Sequence, residues 1–241
     1  MTRRSWDGVT PVVGIDIDGT LGRYHEHFLR FAREWLGAGE YWPGPLATRG
    51  ERTLDGGPVP WDDQAYYGEG SLAEYMGVSK HTYRQCKLAY RQGGLKRSMP
   101  VYPGARELLV ALRRRAWVVL CTTRPYLHLN NIEPDTVEWL RRNRMPYDAL
   151  SMGEHKYRDL RKQYGEMVAA VLDDDPALLS QARKLSPAIP ALFMHRAHNL
   201  RQLEGQPWWV GDCDSARIML LEHLKGCRWV TGIQPTNEEF E

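Results

Sequence analysis

Four short apolar runs, each ended by polar or turn-forming residues, constrain the fold of this 241-residue chain more than any other feature. The runs cover residues 11–15, 117–121, 167–172 and 191–194. Short runs rich in β-branched residues that stop at Asp, Gly or Pro are typical of buried strands that feed loops. The pattern therefore predicts four buried strands, of which the last has the weakest signal.

Segments with helical spacing lie between these runs. Leu108, Leu109 and Leu112 recur at that spacing after a Pro-Gly pair. Pro134 and Pro176 can each begin a further helix. Strands that are buried on both faces and alternate with helices indicate an α/β fold, a Rossmann-like parallel sheet with helices on both faces. Ligands bind beyond the carboxyl ends of the strands in such sheets, so we expect the polar residues there to converge.

Residues 23–98 interrupt this alternation. Residues 41–67 are rich in Gly, Pro and aromatic residues and show no period. Helical order returns at Ser71, which precedes a Glu by three positions as in a capping box. A second helix is expected to begin at Ser79 and to end at a Gly-Gly pair. We interpret residues 23–98 as a small, mostly helical cap inserted after the first strand.

This interpretation divides the chain into three parts. Residues 1–22 and 99–200 form the α/β core, and residues 23–98 form the cap. Residues 201–241 are a C-terminal extension without an assigned role, although residues 216–224 within it look amphipathic.

Charge and hydropathy exclude several classes of protein. The net charge of +2 is too small to indicate nucleic acid or a membrane surface as a partner. No apolar run approaches the roughly 18 residues of a membrane span, and the first residues do not resemble a secretory signal. Because the cysteines form no Cys-x-x-Cys pair, we expect free thiols in a reducing cytoplasm. The cysteines are Cys86, Cys121, Cys213 and Cys227.

Acidic residues follow two of the predicted strands. Asp16 and Asp18 follow the first strand, and Asp173 and Asp174 follow the third. Four carboxylates in one crevice repel one another, which raises their pKa values unless a cation lies between them. A hard divalent cation relieves this repulsion, and ligation by oxygen atoms alone suits Mg²⁺. We therefore predict that these four residues surround a Mg²⁺ ion.

A site of this composition favours the hydrolysis of phosphate esters. Because the cation neutralises the phosphate, a carboxylate can attack its phosphorus and form an aspartyl-phosphate. A second carboxylate can protonate the leaving alkoxide and then deprotonate the attacking water. Thr122, at the end of the second strand, and the backbone amides near it can hold phosphoryl oxygens. A lysine would complete the charge balance.

These residues resemble the motifs of the haloacid dehalogenase superfamily. The Asp-Ile-Asp-Gly-Thr segment resembles the first motif, in which the first Asp, here Asp16, is the nucleophile and the second, Asp18, is the general acid and base. Thr122 resembles the second motif, and the pair Asp173 and Asp174 resembles the fourth. The resemblance implies that Mg²⁺ binds to Asp16, to the backbone carbonyl of Asp18 and to Asp173, with Asp174 close by.

The third motif of that family is a lysine, and two residues of this chain could supply it. Lys156 precedes Asp173 by 17 residues and is our choice. Lys162 precedes it by 11 residues and stays open. The three consecutive aspartates at 173–175 also leave open which of their carboxylates bind the metal.

A narrower resemblance is to the 5′(3′)-deoxyribonucleotidase branch of the superfamily. Residues 99–105, the threonine-bearing strand and residues 192–199 carry it, and members of that branch place a small helical cap after the first motif. The resemblance implies a nucleotide as the small phosphorylated substrate. We expect Thr123 and Arg124 to bind the substrate, although Arg124 departs from that branch, whose members often carry a smaller residue there. The planar fork of Arg124 could clamp a second phosphate or a carboxylate of the substrate, and a surface position is the alternative.

Two other functions could use the same core. A 3′-phosphatase that acts on nucleic-acid ends would need an open, basic channel. A binding module would keep the metal site without turnover, although the intact Asp16 and Asp18 count against it. Lys96 and Arg97 could face the phosphate entrance. The cap aromatics could stack on a nucleobase or form the core of the cap. They are Tyr24, Phe28, Trp35, Trp42, Trp61, Tyr66 and Tyr67.

Overall fold

A six-stranded parallel sheet lies at the centre of the computed structural model, which describes residues 5–37, 76–124, 129–196, 199 and 208–226. The strands are β1 (Val12–Asp16), β2 (Trp117–Thr122), β3 (Ala149–Met152), β4 (Val168–Asp173), β5 (Ala191–Met194) and β6 (Trp209–Val210). Their order across the sheet is β3-β2-β1-β4-β5-β6, so β1 lies between β2 and β4. The predicted parallel sheet is confirmed, and all four predicted strands belong to it.

Helices connect the strands. They are α1 (Tyr24–Gly37), α2 (Lys80–Gln92), α3 (Ala105–Leu112), α4 (Ile132–Arg142), α5 (Lys156–Tyr164), α6 (Pro176–Leu185) and α7 (Cys213–Gly226), with short 3-10 helices at Leu95–Ser98 and Gly165–Met167. Ser79 caps α2 by accepting a hydrogen bond from the Thr82 amide at 3.0 Å, and Pro176 begins α6. Both starts agree with the sequence prediction.

Two clusters of buried apolar side chains cover the two faces of the sheet. In β2, Val118 and Leu120 belong to one cluster, and Val119 and Cys121 belong to the other. This period of two is that of a strand buried on both sides. Helices α3, α4 and α7 contribute to the first cluster, and α5 and α6 contribute to the second. Each fully buried Val or Leu stabilises the fold by about 1.5–3 kcal/mol, so both layers of helices anchor the sheet firmly.

The edges of the sheet are the two strands that the sequence pattern did not predict. Strand β3 has four half-buried residues, and β6 has only two residues, of which Trp209 is exposed and Val210 is buried. Strand β6 pairs with β5, and α7 after it packs against α3. Residues 208–226, which lie in the stretch without an assigned role, therefore extend the sheet and cover one of its faces.

Helices α1 and α2 lie in the stretch interpreted as a cap, and they pack against each other through aromatic rings. Phe28 is fully buried, and its ring lies edge-on to that of Tyr90, with centroids 5.3 Å apart. Tyr24 stacks on Phe28 at 5.8 Å, and Trp35 packs against the same cluster. These rings form part of the apolar core. Four of the cap aromatics and the capping box at Ser71 lie outside the described residues: Trp42, Trp61, Tyr66 and Tyr67.

Cys86, Cys121 and Cys213 are buried free thiols, as expected, and Cys227 lies outside the described residues. None of the helices in the described part of the chain combines the length and the apolar character that crossing a membrane requires.

Candidate active site

The carboxyl ends of three neighbouring strands bring the predicted site residues together. Asp16 ends β1, Thr122 ends β2 and Asp173 ends β4. Because the strands are parallel and pair in register, with Asp16 opposite Cys121 and Ile15 opposite Leu172, these ends lie at one edge of the sheet. All three polar side chains are buried. They line a cavity of about 390 Å³, as do Asp18, Thr123, Arg124, Lys156 and Asp174.

Three buried carboxylates form the centre of this site. One oxygen each from Asp16, Asp173 and Asp174 lies within 4.8 Å of the others. Burial raises the pKa of Asp16 well above its ordinary value, Lys156 opposes this shift, and Asp173 and Asp174 add to it. Burial also raises the pKa of Asp173. The carboxylates repel one another, as expected from the sequence.

Lys156 is the cation among these carboxylates. Its Nζ donates to Oδ1 of Asp16 at 2.5 Å and lies 2.7 Å from Oδ2 of Asp173. It is the first residue of α5 and is almost completely buried, whereas Lys162 is exposed on the same helix. Burial lowers the pKa of Lys156, but the two carboxylates outweigh this effect and raise it, so the side chain stays charged. Of the two lysines left open, the structure places only Lys156 in the cavity.

Tyr157 is a site residue that the sequence analysis missed. Its hydroxyl donates to Oδ2 of Asp173 at 2.5 Å. Burial raises the pKa of Tyr157 well above its ordinary value, so the phenol keeps its proton. A tyrosine that follows Lys156 in the sequence carries no signal of its own, because the contact depends on how α5 packs against β4.

The three consecutive aspartates have different positions. Asp173 accepts the Asp175 amide on Oδ1 at 2.9 Å, while its Oδ2 contacts Lys156 and Tyr157. Asp175 caps α6 by accepting the Ala177 amide at 2.8 Å. Its side chain is therefore used by the helix, in agreement with the preference for Asp at this position.

Asp174 packs closely against the loop that follows β1. Oδ1 of Asp174 accepts a hydrogen bond from Oγ1 of Thr20 at 3.2 Å. Gly19 has a φ of +93°, and a Cβ there would lie 1.9 Å from Oδ2 of Asp174. Only glycine fits this position, both for its backbone conformation and for the space available. Asn199 holds the other side by donating to the Asp174 carbonyl at 2.8 Å.

Asp18 lies in a separate ionic cluster. Arg124 binds both of its oxygens, with Nε 3.0 Å from Oδ2 and Nη2 2.6 Å from Oδ1. Lys96 donates to Oδ2 at 2.5 Å. Burial raises the pKa of Asp18, but Arg124 and Lys96 outweigh burial and hold that pKa well below its usual range. The Asp18 side chain is thus an ionised carboxylate beside the three-carboxylate group and does not belong to it.

Arg124 is buried, so the surface position considered for it is wrong. Its Nη1 donates to Oγ1 of Thr136 on α4 at 2.6 Å, which fixes the guanidinium plane against Asp18. Lys96 is also buried and lies 3.7 Å from the centre of the Tyr24 ring, a distance at which the cation and the ring attract each other. Arg97 instead pairs with Asp135 at 2.5 Å.

Solved structures with this arrangement of sheet and helices are known. No family model matches the chain, and no match was found among curated proteins. A haloacid dehalogenase-like hydrolase from Streptococcus pneumoniae has a TM-score of 0.57 at 14% identity, over 90% of this chain and 99% of that one. The chain has the haloacid dehalogenase-like fold.

Two further solved structures are similar to this chain over a comparable length. A protein described as a predicted phosphatase, from Clostridium acetobutylicum, has a TM-score of 0.57 at 17% identity, over 89% of this chain and 99% of that one. A protein described as a predicted phosphoglycolate phosphatase, from Haemophilus somnus, has a TM-score of 0.53 at 14% identity, over 88% of this chain and 98% of that one.

The three-carboxylate group fits a divalent metal ion. Asp16, Asp173 and Asp174 offer oxygen atoms alone, which are the ligands that hard cations prefer. Lys156 contacts Asp16 and Asp173, and Nε2 of His25 lies 3.6 Å from Oδ2 of Asp174. Three ionised carboxylates exceed the single positive charge of Lys156 and leave a surplus of negative charge. A divalent cation held by these three residues would neutralise that surplus.

Proposed function

We propose that the chain is a Mg²⁺-dependent phosphomonoesterase that works through an aspartyl-phosphate on Asp16. One observation carries this proposal: a buried carboxylate at the end of the central strand lies beside Lys156 and two further carboxylates, facing a cavity. A nucleophilic carboxylate, a fixed cation and a set of metal ligands are the parts that phosphoryl transfer requires.

The residues divide the reaction into two displacements. In the first, Asp16 attacks phosphorus, the bond to the leaving oxygen breaks, and Asp18 gives that oxygen a proton. In the second, Asp18 takes a proton from water, which attacks the aspartyl-phosphate and releases phosphate and Asp16. Bound Mg²⁺ would neutralise the phosphate dianion and polarise its oxygens. Its proposed ligands are Asp16, Asp173, Asp174 and the backbone carbonyl of Asp18.

Lys156 and Thr122 have positioning and charge-stabilising roles in this scheme. Lys156 orients the attacking oxygen through its short contact with Asp16, and its charge opposes the negative charge that gathers on the phosphoryl oxygens. Thr122 lines the same cavity and offers a hydroxyl to a phosphoryl oxygen. Thr123, which is exposed in the cavity, is the proposed contact to substrate.

Arg124 and Lys96 set the protonation of Asp18. While both cations contact it, Asp18 is ionised, which suits the base of the second displacement. The acid of the first displacement must carry a proton. The planar guanidinium of Arg124 can bind two oxygens of a substrate anion in the same way as it binds the two oxygens of Asp18. When substrate draws Arg124 away, Asp18 becomes easier to protonate, which couples binding to the acid step.

The proposed substrates are (deoxy)ribonucleoside monophosphates, which would be cleaved to nucleoside and phosphate. Residues 1–22 and 99–200 would act as the phosphatase core and residues 23–98 as its cap. Support comes from Tyr24 and Lys96, which lie in the cap stretch and line the cavity that holds Asp16. The aromatic rings described there are packed into the core, and Tyr24, which also lines the cavity, is the described ring that we propose contacts the base.

A substrate panel tests the proposal. Phosphate release is measured from nucleoside monophosphates, 3′-phosphorylated oligonucleotides and para-nitrophenyl phosphate, each with Mg²⁺ and with EDTA. We expect Mg²⁺-dependent release that is fastest from the monophosphates. Faster release from the oligonucleotides would indicate a nucleic-acid 3′-phosphatase. Absence of release from every ester would indicate a binding module.

A further inference from the structure

Two cations in the cavity have no anionic partner in the described chain. Five lysine and arginine side chains line it: Lys87, Arg91, Lys96, Arg124 and Lys156. The last three contact Asp18, Asp16 or Asp173. Lys87 and Arg91 form no ion pair with any carboxylate among residues that the structure describes. The cavity is therefore more positive on their side.

Lys87 and Arg91 are held together by the fold. They lie four residues apart on α2, so their side chains occupy the same face of that helix. Nδ2 of Asn131 donates to the Arg91 carbonyl at 2.7 Å, which fixes this end of α2 to the start of α4. Tyr90 between them is fully buried in the apolar core. The helix cannot turn this face away from the cavity without exposing that ring.

The proximity of these cations is unfavourable without a bound anion. Burial, and then the positive charge of Arg91, lower the pKa of Lys87 to about 8, while Asp18 acts in the opposite direction. The ring of Tyr83 lies 5.4 Å from Nζ of Lys87 and offers only a weak attraction. Two like charges on one side of a cavity are typical of a site whose anion comes with the ligand.

We propose that Lys87 and Arg91 bind a second anionic group, a phosphate or a carboxylate, on the leaving-group side of the substrate. The inference rests on the proposed phosphatase function and narrows it to substrates with two anionic groups. Arg91 can bind two oxygens of such a group through its fork, and Lys87 adds a point charge. The reacting phosphate has its own partners at the strand ends, Lys156 and Thr122.

Matched pairs of esters test this inference. Adenosine 5′-monophosphate is compared with adenosine 3′,5′-bisphosphate, and glycerol 3-phosphate with 3-phosphoglycerate, which differ in one anionic group. We expect kcat/KM to be at least about tenfold higher for the member of one pair that carries the extra anionic group. This is the size of effect that charged hydrogen bonds give. The pair that responds tells whether the group is a phosphate or a carboxylate. A preference in neither pair overturns the inference.

Variants link the preference to the two residues. Lys87→Gln and Arg91→Gln should each lower the preference for the ester with the extra anionic group, measured as the ratio of kcat/KM values, by about tenfold. Arg91→Lys should keep part of this preference. Arg84→Gln, on the exposed surface of the same helix, removes the same charge and should leave both rates unchanged. Equal losses with both members of a pair would assign Lys87 and Arg91 a structural role and overturn the inference.

A binding measurement separates this inference from the proposed function. The same four compounds are titrated calorimetrically into the protein in EDTA, where Mg²⁺-dependent turnover does not occur. Tighter binding of the compound with the extra anionic group supports the second site even where no ester is hydrolysed, provided that Lys87→Gln and Arg91→Gln abolish the difference. Hydrolysis of para-nitrophenyl phosphate without such a preference supports the phosphatase and overturns the second site.

Discussion

Nζ of Lys156 contacts two carboxylates that end different strands, Asp16 on β1 at 2.5 Å and Asp173 on β4 at 2.7 Å. One side chain of α5 therefore joins the two strands at the edge where the chemistry is expected. A buried charge that loses its partner is strongly destabilising, so this contact matters for the stability of the fold.

Replacing Lys156 by methionine should lower the free energy of unfolding by about 3–5 kcal/mol in EDTA, because it leaves repelling carboxylates without their cation. Urea denaturation measures the change. Mg²⁺ should restore part of the loss, since it supplies positive charge to the same oxygens. Lys162→Met, an exposed change on the same helix, is the control and should alter stability by less than about 0.5 kcal/mol. Equal stability of the two variants would contradict the role of Lys156.

Asp16→Asn should abolish turnover and leave the fold intact. An amide of the same shape cannot attack phosphorus, whereas its lower charge relieves repulsion with Asp173 and Asp174. The rate with para-nitrophenyl phosphate and the circular dichroism spectrum measure the two effects. Substantial residual activity would count against Asp16 as the nucleophile.

Metal affinity should distinguish the three consecutive aspartates. Asp173→Asn and Asp174→Asn each remove a charged oxygen from the three-carboxylate group and should weaken Mg²⁺ binding at least about tenfold in calorimetry without substrate. Asp175→Asn is the control, because asparagine caps a helix as well as aspartate does and this side chain serves α6. Weaker binding in Asp175→Asn alone would show that the metal lies one residue further along the chain.

The sequence was sufficient for the central strands because each is a short apolar run that ends at a polar group. The same rule placed Asp16, Thr122 and Asp173 at one edge, since adjacent parallel strands end together. It failed for β3 and β6, which are edge strands of four and two residues and too short to show a period. The local sequence pattern does not show that these short segments pair with β2 and β5.

The contacts of Asp18 could not be predicted for a different reason. Arg124 follows β2, and Lys96 belongs to a 3-10 helix that lies 78 positions after Asp18 in the chain. Their convergence depends on how α2 and α4 pack, which motif spacing does not encode. Lys87 and Arg91 look like ordinary exposed residues of a basic helix for the same reason, and only the packed structure places them in the cavity.

His27 should make the protein less stable in mild acid. Burial, then Arg30 and Lys96, lower its pKa from 6.5 to about 4. Between these values the unfolded chain takes up a proton that the folded chain refuses, so stability falls as the pH drops from about 6.5 to about 4. Denaturation at several pH values should show a smaller fall in His27→Gln, but an unchanged one in the exposed control His81→Gln. Identical curves for wild type and His27→Gln would contradict the shift.

Asp18→Asn should cost far more activity with poor leaving groups than with good ones. In the proposed mechanism, an alkoxide leaving from an alkyl phosphate takes a proton from Asp18, and losing general acid catalysis costs about 10²–10⁴-fold in rate. Para-nitrophenolate is a stable anion and needs no such proton. Asp18→Asn should therefore slow the first displacement of para-nitrophenyl phosphate only slightly. Burst kinetics with para-nitrophenyl phosphate measure that displacement, and the steady-state rate with an alkyl ester gives the comparison. Because Asp18 is also the proposed base for the second displacement, the burst should persist while the later turnover slows. An equal loss in the burst and with the alkyl ester would mean that Asp18 supports the structure around Arg124 and Lys96 and transfers no proton.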